Sequence, residues 1–292
     1  MPPLILIGDV VTDVLVQMRG PLARASDTPA RVTIRPGGSA ANQAVWLAWL
    51  GQTVHFVGCV GDDVFGRYQR QELEQAGVVC HLAVTDEAAT GTVVILIEAD
   101  GERDMLPDRG ANLRLRPTDL PNELFRPGGH LHLSGYTFFD PVPRAAALAA
   151  AELARAHGMT RSVDPASAAF LKEVGPERFL SWTHGFELAF PNLEEAQLLS
   201  AEEEPAAAAR ALTRYYGGIA VKCGAQGAIW AGPPPLAQAA VRGPVVDTTG
   251  AGDAFAAGFL AVWLEEGASG SRPAQGHEQE QGWSRGQDQG AT

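Results

Sequence analysis

From His130 onward the chain repeats one pattern, a short apolar run followed by a stretch with helical spacing. Residues 131–133 read as a strand, 144–157 as an alanine-rich helix, and 161–163 as a second strand closed by Asp164-Pro165. Residues 187–190 run into Pro191-Asn192 and a helix from Leu193. A further helix spans 205–216, and strands follow at 219–222 and 228–231. Strands joined through helices cross over and run parallel, and the helices then cover both faces of the sheet. The pattern therefore predicts an α/β fold on a mostly parallel sheet.

The N-terminal half fits that sheet only in part. Residues 4–7 form a continuous apolar run that stops at Gly8-Asp9, as a buried parallel strand does. After Gly37-Gly38, residues 41–50 read as a helix stopped by Gly51, 53–57 as a strand, and 65–75 as a helix ending before Gly77. Residues 10–18 and 31–34 look like shorter, more exposed strands. Residues 78–84 and a hairpin of 92–98 with 103–106, turning at Ala99-Asp100-Gly101, add more sheet. These early strands are expected to form a small separate β lid, within about 10–35 and 78–107. Residues 267–292 hold one large apolar side chain, Trp283, among Gly, Gln, Ser, Glu and Arg. Such a stretch buries too little surface to offset its ordering entropy, so a disordered tail is expected beyond a folded domain of residues 1–266.

Charge narrows the function classes. The chain carries 34 acidic and 22 basic residues, a formal net charge of −12. That balance argues against nucleic acid or anionic membrane as partner, since both are held by accumulated Lys and Arg. It leaves room for a phosphate held by a few N–H groups and one or two cations. Cys59, Cys80 and Cys223 are too few and too scattered for a disulfide framework or a zinc site, and an odd count suits a reducing compartment. The start lacks a basic leader, and no apolar run approaches the roughly 18 residues of a membrane span. A soluble cytoplasmic protein is the expectation.

The strongest chemical signal is Asp247-Thr-Thr-Gly-Ala-Gly-Asp253. It follows Val245-Val246 and precedes a stretch of helical character at 254–263, so a turn of small residues sits where strand hands over to helix. Gly250 and Gly252 allow close backbone approach with N–H groups turned inward, and the helix N-terminus adds partial positive charge. Phosphate oxygens suit such a spot. Asp253 lies at the same N-terminus, where the helix is expected to keep it ionised. A carboxylate beside an anion cradle is what phosphoryl transfer to an alcohol needs. The plainer reading is an N-cap on a glycine turn.

Asp247-Thr-Thr-Gly-Ala-Gly-Asp-Ala-Phe-Ala-Ala-Gly-Phe259 resembles the C-terminal hallmark of the ribokinase-like (PfkB-type) carbohydrate kinases. Gly37-Gly-Ser-Ala-Ala-Asn-Gln-Ala-Val45 resembles their N-terminal hallmark, with Gly58-Cys-Val-Gly-Asp-Asp-Val-Phe-Gly66 downstream. Pro191-Asn-Leu-Glu-Glu195 matches their Asn-x-x-Glu element. The matches keep the family's order from about residue 4 to about residue 266.

The resemblance implies a three-layer sandwich with a small β lid, and ATP-dependent phosphorylation of a sugar hydroxyl. It makes Asp253 the catalytic base and places the γ-phosphoryl anion hole on Gly250, Ala251 and Gly252. Sugar contacts fall on Asp13, Gly37, Gly38 and Asn42, although Asp13 also suits a turn cap and Asn42 a helix cap. Asn192 and Glu195 would serve the nucleotide phosphates and Mg²⁺, Glu195 through water. Three apart at a helix start, they also read as ordinary first-turn residues. Lys222, Gly224 and Gly227 align with the family's nucleotide-side loop. Asp247 and Thr249 would contribute to a monovalent-cation site, K⁺ in the simplest case.

Other polar residues are less telling. His130 and His132 face one side of a strand and lack a third metal ligand at suitable spacing. Arg103, Asp108 and Arg109 are either surface charges or reach the substrate from the lid, and an acidic sugar would call on Arg103 and Arg109. Asp62-Asp63 suits a cap for the helix near Val64. Past the final helix the family adds elements that wall the adenine pocket and complete the cation site. The Gly- and Gln-rich tail shows no match to them, so a weakened ATP site is expected. A nucleoside kinase of the same superfamily carries the same motifs. A sugar-binding protein inactive as a kinase is the reading if nucleotide use is lost. The lid strands are also placed to pair across a homodimer.

Overall fold

A computed structural model describes residues 2–97, 103–241, 243 and 248–268. The chain begins with β1 (Leu4–Ile7), β2 (Val11–Met18), β3 (Ala30–Gly37), α1 (Ser39–Trp49) and β4 (Val54–Gly61). It continues through α2 (Val64–Gln75), β5 (Val79–Thr85), β6 (Gly91–Ile97), β7 (Arg103–Asp108), β8 (His130–Ser134) and α3 (Pro141–Ala156). Next come β9 (Thr160–Asp164), α4 (Ala168–Val174), α5 (Pro176–Thr183), β10 (Phe186–Ala189), α6 (Leu193–Ser200) and α7 (Pro205–Leu212). The last elements are β11 (Tyr216–Lys222), β12 (Ala228–Ala231), β13 (Leu236–Gln238) and α8 (Ala251–Ala268).

Among the described residues the main sheet has nine strands in the order β13-β12-β11-β10-β9-β8-β1-β4-β5. It is parallel from β11 to β5, with β12 and β13 antiparallel at one edge. A period of two divides its side chains between two cores. Ile5 and Ile7 of β1 join a cluster with Ala146, Leu171, Phe179, Ala196 and Ala208, so α3 to α7 cover one face. Leu4 and Leu6 join Ala40, Ala44, Leu73, Ala256 and Leu260, so α1, α2 and α8 cover the other. Alanines on the facing sides of α1 and α8 let these two helices pack closely, which brings their first turns together.

The lid is a second sheet of four strands, β3-β2-β6-β7. It is smaller than the sequence suggests. Residues 79–85 belong to the main sheet, where β5 lies parallel to β4 with His55 opposite Val79. The helical spacing of α2 makes β4-α2-β5 a crossover unit, which delivers β5 to the sheet rather than to the lid. The helix expected over 205–216 stops at Leu212, and Tyr216 already begins β11 with its hydroxyl 2.7 Å from Thr183 Oγ1. Helix α8 runs from Ala251 to Ala268, past the stretch expected from sequence. The expected turn at Ala99-Asp100-Gly101 lies outside the described residues, as does the expected tail of 267–292 apart from residues 267 and 268, which are the last of α8. No described helix is long and apolar enough to cross a membrane.

Candidate active site

The hallmark segments meet because α1 and α8 start side by side. Gly38 precedes α1 with φ 104°, and a Cβ there would overlap Asp9 O, so only glycine fits between β1 and the helix. Gly250 precedes α8 with φ 74°. From the two first turns, Ser39 Oγ donates to Asp253 Oδ1 at 2.7 Å and Asn42 Nδ2 donates to Asp253 Oδ2 at 2.9 Å. Asp253 is thus fixed in place with acceptor capacity left over.

Burial raises the Asp253 carboxyl above its ordinary range, the charge of Asp164 adds to the rise, and the bonds from Ser39 and Asn42 oppose it together with Lys222. Burial thus opposes the charge-stabilising effect expected of the helix terminus, and the net direction of the shift is upward.

Two cavities meet at this point. The first, about 330 Å³, is lined by Asp13, Gly37, Asn42, Trp46, Arg35 and Arg103 among others. Burial raises the Asp13 carboxyl to about 6. Asp13 packs so tightly against Gly37 that a Cβ at residue 37 would overlap the carboxylate. Three of the four expected sugar contacts therefore share one cleft. Gly38 does not line it and acts as the bend that positions α1. The second cavity, about 280 Å³, is lined by Asp164, Asn192, Glu195, Lys222, Gly252 and Asp253 among others. Gly250 lines both cavities, so the glycine turn is the partition between them.

The second cavity is densely charged. Lys222 Nζ pairs with Asp164 Oδ2 at 2.7 Å, and Gln43 Nε2 reaches the same oxygen at 3.1 Å. Burial alone would lower the Lys222 ammonium, but the Asp164 charge and hydrogen bond reverse the shift and keep it charged. A Cβ built on Gly252 would sit 3.6 Å from Lys222 Nζ, so the ammonium faces the glycine turn. Gly224 and Gly227, which the resemblance groups with Lys222, bracket a short turn between β11 and β12. Lys222 ends β11 and turns inward, away from that loop.

Asn192 and Glu195 form a capping box. Asn192 N donates to Glu195 Oε2 at 2.9 Å, Asn192 Nδ2 to Oε1 at 2.8 Å, and Glu195 N to Asn192 Oδ1 at 2.9 Å. Glu195 is buried, which with the Asp164 charge drives its carboxyl up to about 8 against the Asn192 backbone bond and Lys222. The helix-start reading is fully realised, yet both side chains still border the cavity. Of the anion-hole residues, Ala251 N donates to Thr248 O at 3.2 Å and so is engaged in the turn itself. Thr249 Oγ1 accepts from the Arg103 guanidinium, which makes that hydroxyl a poor ligand for a second cation. Asp247 lies outside the described residues.

Sequence reasoning passed over Asp164, Gln43, Ser39 and Asp9. Asp164 and Asp9 each follow the apolar run of a parallel strand, which is where open α/β sheets gather polar groups. Arg109 lines neither cavity. It is buried against Asp9 (Nε to Oδ2, 2.7 Å) and Asp140 (Nη1 to Oδ2, 2.5 Å) and braces β1 to the loop before α3. His130 Nε2 and His132 Nδ1 both contact Ser162 Oγ at 2.7 Å in the core, and burial lowers His132 to about 4. Asp63 caps α2 as expected, accepting from Gly66 N at 2.7 Å.

The sequence pattern of the pfkB family carbohydrate kinases matches residues 1–275. The chain belongs to this family. As a family member it is a phosphotransferase acting on a hydroxyl group, with the ribokinase-like fold. It is 34% identical over 279 residues to a fructokinase of Salmonella typhimurium, covering 90% of this chain and 84% of that protein. It is 33% identical over 233 residues to an ATP-dependent ribose-1-phosphate kinase of Halopiger xanaduensis, covering 79% of this chain and 74% of that one. Among solved structures, the aminoimidazole riboside kinase of Salmonella enterica, complexed with aminoimidazole riboside and an ATP analogue, superposes with a TM-score of 0.73. The identity there is 27%, with 90% of this chain and 84% of that chain covered.

Proposed function

We propose that this pfkB-family kinase transfers the γ-phosphoryl group of ATP to a sugar hydroxyl, with Asp253 as general base. One observation carries the reading: Asp253, held by Ser39 and Asn42, lines the second cavity beside Gly250, the residue that lines both, and its partner Asn42 lines the first. The first cavity offers Asp13, Asn42 and the Gly37 backbone to vicinal hydroxyls. The second offers the Lys222 ammonium and the first turn of α8 to phosphate oxygens, a donor set that suits a nucleotide. Gly224 and Gly227 shape the neighbouring loop, where we place the base and ribose.

In this mechanism the Asp253 carboxylate accepts the proton of the acceptor hydroxyl as that oxygen bonds to the γ-phosphorus. The bond to the β-phosphate oxygen breaks and ADP leaves with its electron pair. A raised Asp253 pKa favours the transfer, because a stronger base sits closer to the alcohol it must deprotonate. The N–H groups of Gly250 and Gly252, together with Lys222, hold the oxygens of the moving group. Asp164 and Glu195 are oxygen donors of the kind a hard cation accepts, and Mg²⁺ held there through water would offset phosphate charge. Lid and core already touch through Arg103 and Thr249, and further closure over the cleft would exclude water.

The lid residues lining the cleft include Asp13, Arg35 and Arg103, which favour a polyhydroxylated ring over a flat base. The outer lid face carries Val14, Ile34, Val94 and Leu106 in one cross-strand row, and there we place a homodimer contact. The test of function is a coupled ADP-release assay over a panel of sugars and nucleosides. Turnover confined to sugars supports the reading. Turnover confined to nucleosides, or none above the Asp253→Asn background, overturns it.

A further inference from the structure

The inner face of the lid carries three arginines, Arg31, Arg35 and Arg103, that take no part in the phosphoryl transfer step itself. Pairing places Gln17 opposite Arg31, Leu15 opposite Thr33 and Asp13 opposite Arg35, so Arg31, Thr33 and Arg35 share the face that bears Asp13. On the far side of the lid Arg103 pairs with Ile97, whose other neighbour is Gln17, and so projects from the same face. A recess of about 290 Å³ opens between them, with Arg31, Arg35, Arg103, Gln17 and Thr33 in its wall. Among the described residues no acidic side chain lines it. In a chain with a net charge of −12, three guanidiniums around one hollow are an uncommon concentration. Arg31 and Arg35 make no ion pair with a described residue, unlike Arg109, which is consumed by Asp9 and Asp140. Arg35 and Arg103 also line the sugar cleft, so the recess is a direct extension of it.

We infer that this recess binds an oxyanion carried by the sugar itself, making the substrate a phosphorylated or carboxylated sugar rather than a neutral one. Planar guanidiniums suit phosphate and carboxylate oxygens through paired N–H donors, and the Gln17 amide and Thr33 hydroxyl add neutral donors. Three cations around one site favour the dianionic phosphate ester over the carboxylate. The geometry orients the ring: its anionic end lies under the outer lid strands, and the hydroxyl presented to Asp253 is distal to it. This rests on the assignment of Asp253 and the cleft, and the test separates the two.

The test compares three forms of one sugar skeleton on the full-length protein: the neutral sugar, its terminal phosphate ester and its terminal acid. Affinity is read by isothermal titration without nucleotide, and kcat/KM by ADP release. The phosphate ester binds most tightly, the acid next and the neutral sugar least. In Arg31→Gln/Arg35→Gln the preference for ester over neutral sugar falls by roughly 5- to 30-fold, expressed in Kd and KM rather than kcat. A preference for the acid over the ester relocates the ligand chemistry to carboxylates and overturns the choice of phosphate. Equal affinity for neutral and anionic forms, or a preference unchanged within about twofold in the double variant, overturns the recess as an anion site. Selective binding without any ADP release upholds the recess and overturns the kinase chemistry of Asp253, so the two failures are distinct.

Discussion

Asn42 donates its side-chain amide to the Asp253 carboxylate at 2.9 Å, across 211 positions of sequence. The bond joins the two hallmark segments directly, and it lowers the pKa of the residue it holds. Asn42→Ala removes that donor, so the Asp253 pKa rises further. The acid limb of the kcat–pH profile then moves to higher pH relative to wild type. A limb that stays in place means that Asp253 is not the group titrating in it.

Asp13 titrates near 6 through burial, and as a carboxylate it accepts hydrogen bonds from sugar hydroxyls. The kcat/KM for sugar therefore rises with pH through about 6 and levels off above it. In Asp13→Asn that limb is absent and KM is raised. A wild-type profile that is flat between pH 5 and 7 would contradict this role.

Glu195 is held protonated up to about pH 8, well above its ordinary value near 4.5. Between those values the folded protein binds a proton that the unfolded chain has lost, so stability falls as pH rises. The contribution is complete below about 4.5 and gone above about 8. Glu195→Gln is neutral throughout, so its melting temperature relative to wild type improves from pH 5.5 to pH 8.5. Parallel melting curves for the two proteins across that range would contradict the shift.

Gly37 and Gly38 are adjacent and fail differently. A Cβ at 38 meets the Asp9 carbonyl with φ at 104°, whereas a Cβ at 37 meets only the Asp13 side chain. Gly38→Ala is expected to lose about 2–4 kcal/mol in urea unfolding, since neither the Asp9 carbonyl nor the adjacent Val10 Cα can move cheaply. Gly37→Ala keeps most of its stability, and its effect is a raised KM for sugar as Asp13 is displaced. Equal stability losses in the two variants would contradict the distinction.

The parts of this fold legible in sequence were those fixed by local periodicity. The strand–helix rhythm after His130 and the glycine turn at 250–252 carry their geometry in residue spacing. β5 was misplaced because its residues say strand without saying which sheet; the crossover through α2 decides that. The capping box at Asn192 and Glu195 was visible as spacing, but the elevated pKa of Glu195 depends on its burial and on the charge of Asp164 at the end of β9. The pairing of Lys222 with Asp164, 58 positions away, is set by where β9 and β11 end and leaves no trace in residue spacing. The arginine recess draws on β3 and β7, which only the four-strand lid brings together.

The most direct test of the account is Asp253→Asn, in which kcat and the dissociation constant for sugar are measured on the same preparation. The amide keeps the size of the side chain and cannot take a proton. Turnover is expected to fall by about 100- to 10,000-fold while sugar affinity changes only a few-fold. Turnover within about tenfold of wild type would contradict a general base at Asp253 and, with it, the mechanism proposed for this kinase.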